Sequence, residues 1–152
     1  MDDIYFMKKA YKEALLAYEI NDVPIGCVIV QNGGIISRGH NRRTFDKNVL
    51  LHAEMIAIDK ACRAVGDWRL EDCIIYVTIE PCPMCAGAIL QARIPTVVFG
   101  ATNPKAGCAG SVLNLLDDGR FNHKAKIISG VYADECAALM QKFFKNFRNG
   151  LE

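Results

Sequence analysis

His52 and Glu54 stand two residues apart in "HAE", and Cys82 and Cys85 stand three apart in "PCPMC". An imidazole nitrogen and two thiolates are ligands that zinc takes readily, while a carboxylate two positions past the imidazole turns away from it and is free to handle a proton. Of the three histidines in the chain, His52 is the one at a predicted helix start, which makes it the partner for the cysteines. If the two helix starts converge, three protein ligands leave the fourth tetrahedral position for water, as in a catalytic zinc site. Helix N-termini also favour the thiolate form of Cys82 and Cys85. Taken alone, a Cys-x-x-Cys pair fits equally a redox dithiol, half of a structural zinc knuckle or two core thiols. The mid-chain position behind Pro81 argues against the dithiol, and the lack of a second Cys-x-x-Cys argues against the knuckle.

The elements that would position these residues are legible as periodicities. Asp2 and Asp3 precede a helical repeat of Phe6, Ala10, Ala14 and Tyr18 that runs to about Glu19. "VPIGCVIV" and "IISRG" read as two strands joined at Asn32-Gly33, a strong signal for a tight hairpin turn. A second helix spans "LLHAEMIAIDKACRAVG", with Ala53, Ile56, Ala57, Lys60 and Ala64 on one face and Gly66 as its stop. "CIIYVTI" is a continuous apolar strand, and Pro83 just beyond it suits the first turn of a helix, so the cysteine pair falls at a strand-to-helix junction. "TVVFG" and "KIISGV" supply two more strands, and "ADECAALMQKFFKNF" a closing amphipathic helix. Strands alternating with helices predict an α/β sandwich on a mixed sheet, antiparallel at the hairpin and parallel later.

Composition limits the function classes. A chain of 152 residues, 51% hydrophobic and 23% charged, fits one compact domain over residues 1–152. No apolar run is long enough to cross a bilayer, and the first residues lack the order of a signal peptide, so a cytoplasmic protein with no membrane partner is expected. Seven cysteines, an odd number set mostly inside apolar segments, argue for reduced thiols over a disulfide framework. A net charge of +1 announces no nucleic-acid partner, although Arg38, Arg42, Arg43 and Lys47 cluster locally, as do Lys142, Lys145 and Arg148.

His-x-Glu together with Pro-Cys-x-x-Cys is the signature of the zinc nucleobase deaminases. Beyond it, "DVPIG", "WRLEDCIIYVTIEPCPMCAGAI", "RIPTVVFGA", "FNH" and "DECAALMQKFF" resemble the bacterial tRNA-specific adenosine deaminases over nearly the whole chain, from Ile4 to Arg148. The resemblance implies a three-layer α/β/α cytidine-deaminase-like fold with helices on both faces of a five-stranded mixed sheet, and a homodimer with one Zn2+ per subunit. It implies hydrolytic conversion of the wobble adenosine of a tRNA anticodon loop to inosine, with Glu54 shuttling protons. It also implies Ile25 as an apolar wall of the pocket, Asn41 on the purine edge, and Asn103, Lys105, Asn122, Phe143, Phe144 and Arg148 on the RNA. By their own pattern Asn41 also suits a turn, Phe143 and Phe144 the core face of the last helix, and Lys142, Lys145 and Arg148 a solvated face. The chain departs from the family at Val49-Leu50-Leu51, where Pro-Thr-Ala is usual, and at Pro83, where valine is usual. Because "PCPMC" is also familiar from guanine deaminases, a free purine base or nucleoside stands as the alternative substrate.

Overall fold

Asp2 accepts a hydrogen bond from the backbone N–H of Ile4 at 3.0 Å and so caps α1 (Asp3–Glu19). The structure is a computed structural model and describes residues 2–146. After α1 come β1 (Gly26–Gln31) and β2 (Gly34–His40), joined by Asn32 and Gly33 with φ of 51° and 80°, the two left-handed residues a type I′ hairpin requires. Then follow α2 (Ala53–Val65), β3 (Cys73–Ile79), α3 (Pro83–Gln91), β4 (Thr96–Ala101), a single 3-10 turn at Leu115–Asp117, β5 (Lys126–Ile128) and α4 (Ala133–Asn146). The strand order is β2-β1-β3-β4-β5, antiparallel from β2 to β3 and parallel from β3 to β5. Both the hairpin and the parallel half were expected. The strands are shorter than the apolar runs suggest, since β1 begins at Gly26 and β5 has three residues.

Side chains alternate across this sheet into two cores. On one face Val28, Val30, Tyr76 and Val98 pack against Phe6, Met7 and Ala10 of α1. Helix α4 lies on that same face, where Phe143 meets Tyr18 of α1 with ring centroids 6.0 Å apart and Asn146 donates to the Tyr18 hydroxyl at 2.8 Å. On the other face Cys27, Ile29, Ile75, Val77, Val97 and Phe99 pack against α2 and α3. This is the three-layer arrangement of the cytidine-deaminase-like fold.

The second helix rests on a different stripe from the expected one. Ala53, Glu54, Ala57 and Ala61 are buried, whereas Lys60 and Ala64 are exposed. Contact distance explains the rotation: a Cβ on Gly39 of β2 would run into the carbonyl oxygen of Ala53 and the amide nitrogen of Ala57. Backbones this close admit alanines alone between them, so the larger Ile56 and Ile58 flank the seam. The Ser37 hydroxyl donates to the Ala57 carbonyl at 2.8 Å and fixes the helix in that seat. Gly39→Ala is therefore expected to push α2 off the sheet and cost about 2 kcal/mol in urea unfolding, with zinc content falling alongside because α2 carries His52.

Candidate active site

Two helix starts face each other at the carboxyl ends of the parallel strands. His52 is the N-cap of α2 and Cys82 the N-cap of α3, both in extended conformation, and neither side chain makes a capping bond to a backbone amide of its helix. N-cap side chains ordinarily satisfy the first free amides. For α2 that duty passes to Asn41, whose Oδ1 accepts from the Ala53 N–H at 2.8 Å and leaves the His52 ring free. For α3 Pro83 removes one donor at the first helical position.

The freed side chains converge. His52 Nδ1 lies 3.5 Å from Cys82 Sγ and 3.6 Å from Cys85 Sγ, and the three atoms fall within 4.8 Å of one another. Zinc bonds of ~2.1 Å to nitrogen and ~2.3 Å to sulfur in tetrahedral geometry require N···S edges of about 3.6 Å. Both nitrogen–sulfur separations thus match the edges of a zinc tetrahedron, and three protein donors leave one corner for a non-protein ligand. Among the described residues no other such group of His, Cys, Asp and Glu occurs.

Electrostatics match this use. The hydrogen bond from the Cys85 thiol, aided by His52, holds Cys82 down at about 4, so it is a thiolate at neutral pH. The same bond, together with burial, pushes Cys85 up, and contact with Cys82 pushes His52 up. Glu54 is 4% exposed, and burial pushes its carboxyl up to about 7, with Cys82 and His52 as charged neighbours and the Cys85 thiol hydrogen-bonded to it. A carboxyl at that level beside the ligands can take up a proton and return it near neutral pH.

The remaining sequence-predicted residues are distributed around this centre. The Asn41 backbone N–H donates to the Ile25 carbonyl at 3.1 Å, which ties Ile25 to the same rim. Asn103 is half-buried and Lys105 exposed on the loop after β4. Asn122 is exposed in a separate cleft of about 230 Å3 beside the later half of α3, next to His123, whose Nε2 donates to the Ile94 carbonyl at 2.8 Å. Phe143 is 6% exposed and covered by Tyr18 and Phe144, which places it in the packing of α4 on α1, while Phe144 is 40% exposed. Arg148 lies outside the described residues. His40, without a role by sequence, is within 3.0 Å of Glu13 and links β2 to α1.

Two buried carboxylates escape a reading of the sequence. Asp22 accepts from the amides of Thr44 and Phe45 at 2.9 and 3.0 Å and so holds the loop that follows Asn41. Glu80, two residues before Cys82, is turned toward the loop after β4. An acidic residue closing the apolar run "CIIYVTI" is the available signal for the second.

Convergent zinc donors with a buried acid beside them, carried on this sheet order, define a zinc-dependent deaminase. Residues 1–101 match the family described as the cytidine and deoxycytidylate deaminase zinc-binding region. A tRNA-specific adenosine deaminase of Bacillus subtilis (strain 168) is 52% identical over 147 residues, 97% of this chain and 91% of that protein. A solved structure from a study of A-to-I editing by tRNA:A34 deaminases at the wobble position of transfer RNA superposes with a TM-score of 0.85 at 40% identity, over 89% of this chain and 98% of that one. A guanine deaminase structure from Bacillus subtilis gives 0.66 at 33% identity, over 98% and 95%. The chain belongs to the cytidine and deoxycytidylate deaminase family and, within it, to the tRNA-specific adenosine deaminases.

Asn41→Ala, which strips the cap from α2 and loosens the His52 backbone, is expected to lower zinc affinity by about tenfold to a hundredfold in competition with a chelating dye. Asn41→Asp keeps the acceptor and should hold its zinc.

Proposed function

We propose that this chain deaminates the wobble adenosine of a tRNA anticodon loop to inosine, with His52, Cys82 and Cys85 holding one zinc ion and Glu54 moving the protons. The reading rests on the nitrogen–sulfur edges of 3.5 and 3.6 Å with Glu54 buried beside them. Its substrate is supported by the relative at 52% identity. Bound zinc supplies a Lewis acid that makes water acidic enough to attack at neutral pH.

The protein's part is to hold and transfer. Glu54 takes one proton from the attacking water and delivers it to N1 of adenine as the oxygen bonds to C6. It then carries the second water proton to the amino nitrogen, so that the C6–N bond breaks and ammonia leaves. Asn41 spends its Oδ1 on the cap, and its NH2 remains to donate to a purine acceptor. Ile25 walls the pocket on the apolar side. Asn103, Lys105, Asn122 and Phe144 are the RNA contacts, because splayed bases stack on exposed rings such as Phe144 and phosphates meet cations and amides such as the exposed Lys105 and Asn122 and the half-buried Asn103. Arg148 is assigned there by resemblance alone.

The unit is one domain acting as a homodimer. The homodimer is what the family resemblance implies. A cytoplasmic location fits seven cysteines that are all free. No described helix is long and apolar enough to cross a membrane.

The free-base alternative shares the same four residues, and the guanine deaminase at 33% identity keeps it as the competing arm of the test. Zinc-loaded protein is expected to form inosine in an anticodon stem-loop, read by mass spectrometry, and to leave free guanine untouched. Glu54→Gln should bind zinc fully and lower kcat by about a thousandfold. Turnover of guanine without inosine in the RNA would reverse the assignment.

A further inference from the structure

Glu80 has no part in the chemistry above, yet its carboxylate is 3% exposed and fully engaged. Oε1 accepts from the Asn103 amide at 3.0 Å and from the Ser111 hydroxyl. Oε2 accepts from the amides of Ala109 and Ser111 at 2.9 and 3.0 Å. A carboxylate offers about four lone-pair sites, so none remains for a metal or a substrate. A Cβ on Gly107 would collide with the carboxylate carbon and both oxygens, so the loop wraps the group closely.

The wrapped loop begins where β4 ends and is also stitched to the metal-bearing turn. Cys108 N–H donates to the Pro81 carbonyl at 2.8 Å, one residue before Cys82. Within the loop Asn103 is cross-braced, its carbonyl accepting from Gly107 at 2.8 Å and its Oδ1 from Ala106 at 3.2 Å. Thr102, Pro104 and Lys105 are left exposed on the outside. A loop of backbone amides closed around an anion keeps its shape only while that anion is there.

The geometry points to Glu80 as a positioning residue: its carboxylate sets the loop of residues 102–111, and with it Asn103 and Lys105, at a fixed distance from the metal centre for binding the RNA. The substrate half of this rests on the proposed function; the loop half rests on hydrogen bonds alone. Glu80 acts through the loop and touches no reacting atom. Glu80→Gln replaces one acceptor oxygen by an NH2 donor, and whichever way the amide is turned that donor faces donors.

Hydrogen–deuterium exchange of the zinc-loaded protein is expected to show the amides of residues 103–111 exchanging about tenfold faster in Glu80→Gln, with α2 unchanged. On the wobble-adenosine stem-loop, KM should rise about tenfold while kcat stays within about threefold, since a misplaced contact loop weakens binding before it slows chemistry. Ser111→Ala removes one donor, adds no clash and leaves three backbone bonds, so it should move both readouts the same way by about twofold to threefold. It also decides the matter if Glu80→Gln does not fold. Unchanged exchange in both variants overturns the inference. So does a fall in zinc content and kcat at constant KM, which would make Glu80 a support for the metal turn. Exchange needs no RNA, so a parent enzyme inactive on the stem-loop would sink the proposed substrate while the exchange rates still decide whether Glu80 holds the loop.

Discussion

His52 and Cys82 occupy positions whose side chains usually cap the amides of their own helix, and the site exists because neither does. A helix start leaves several amides without partners, and burying them unpaired is costly. The surrounding structure removes that cost by other means: Asn41 takes the Ala53 amide, and Pro83 has no amide to satisfy. Once released, the imidazole meets both sulfurs at 3.5 and 3.6 Å, and the positive end of α3 helps to stabilise the charge on Cys82. The glycine seam under α2 and the parallel strand leading into α3 set the distance between the two helix starts.

Much of this is legible in the sequence, for physical reasons that differ from residue to residue. The donors announce themselves because a histidine, a glutamate and a cysteine pair on helix starts form a rare combination, and the Asn32-Gly33 turn because almost nothing else adopts two consecutive left-handed conformations. The buried face of α2 is not legible. Periodicity weighs Ile56 above Ala61, but contact between backbones rewards the smallest side chain. Phe143 and Phe144 are neighbours of one type, and packing against residues as distant as Tyr18, 125 residues earlier than Phe143 in the chain, buries the first while the second stays 40% exposed. The role of Glu80 is not legible beyond its acidic place at the end of an apolar run, because three of its four bonds come from backbone amides more than twenty residues downstream, which carry no side-chain signature.

Charge is distributed locally, consistent with a net value of +1. Arg42 pairs with Asp46 at 2.7 Å, Arg69 with Asp67 at 3.1 Å and Arg120 with Asp118 at 2.7 Å, so each of these arginines is answered by a nearby carboxylate. Such exposed pairs contribute little to stability. Their consequence is for recognition: cations paired in this way attract a polyanion less, and with a net charge of +1 long-range steering is weak.

The clamp on the loop after β4 also bears on how such a protein changes over time. Three of the four bonds to Glu80 come from main-chain amides, which every residue but proline supplies. The outward side chains at positions 102, 104 and 105 can therefore be exchanged without disturbing the anchor. Selection can explore new contacts at the rim while the metal centre beneath is inherited intact, which gives one scaffold a route from one amine-bearing substrate to another.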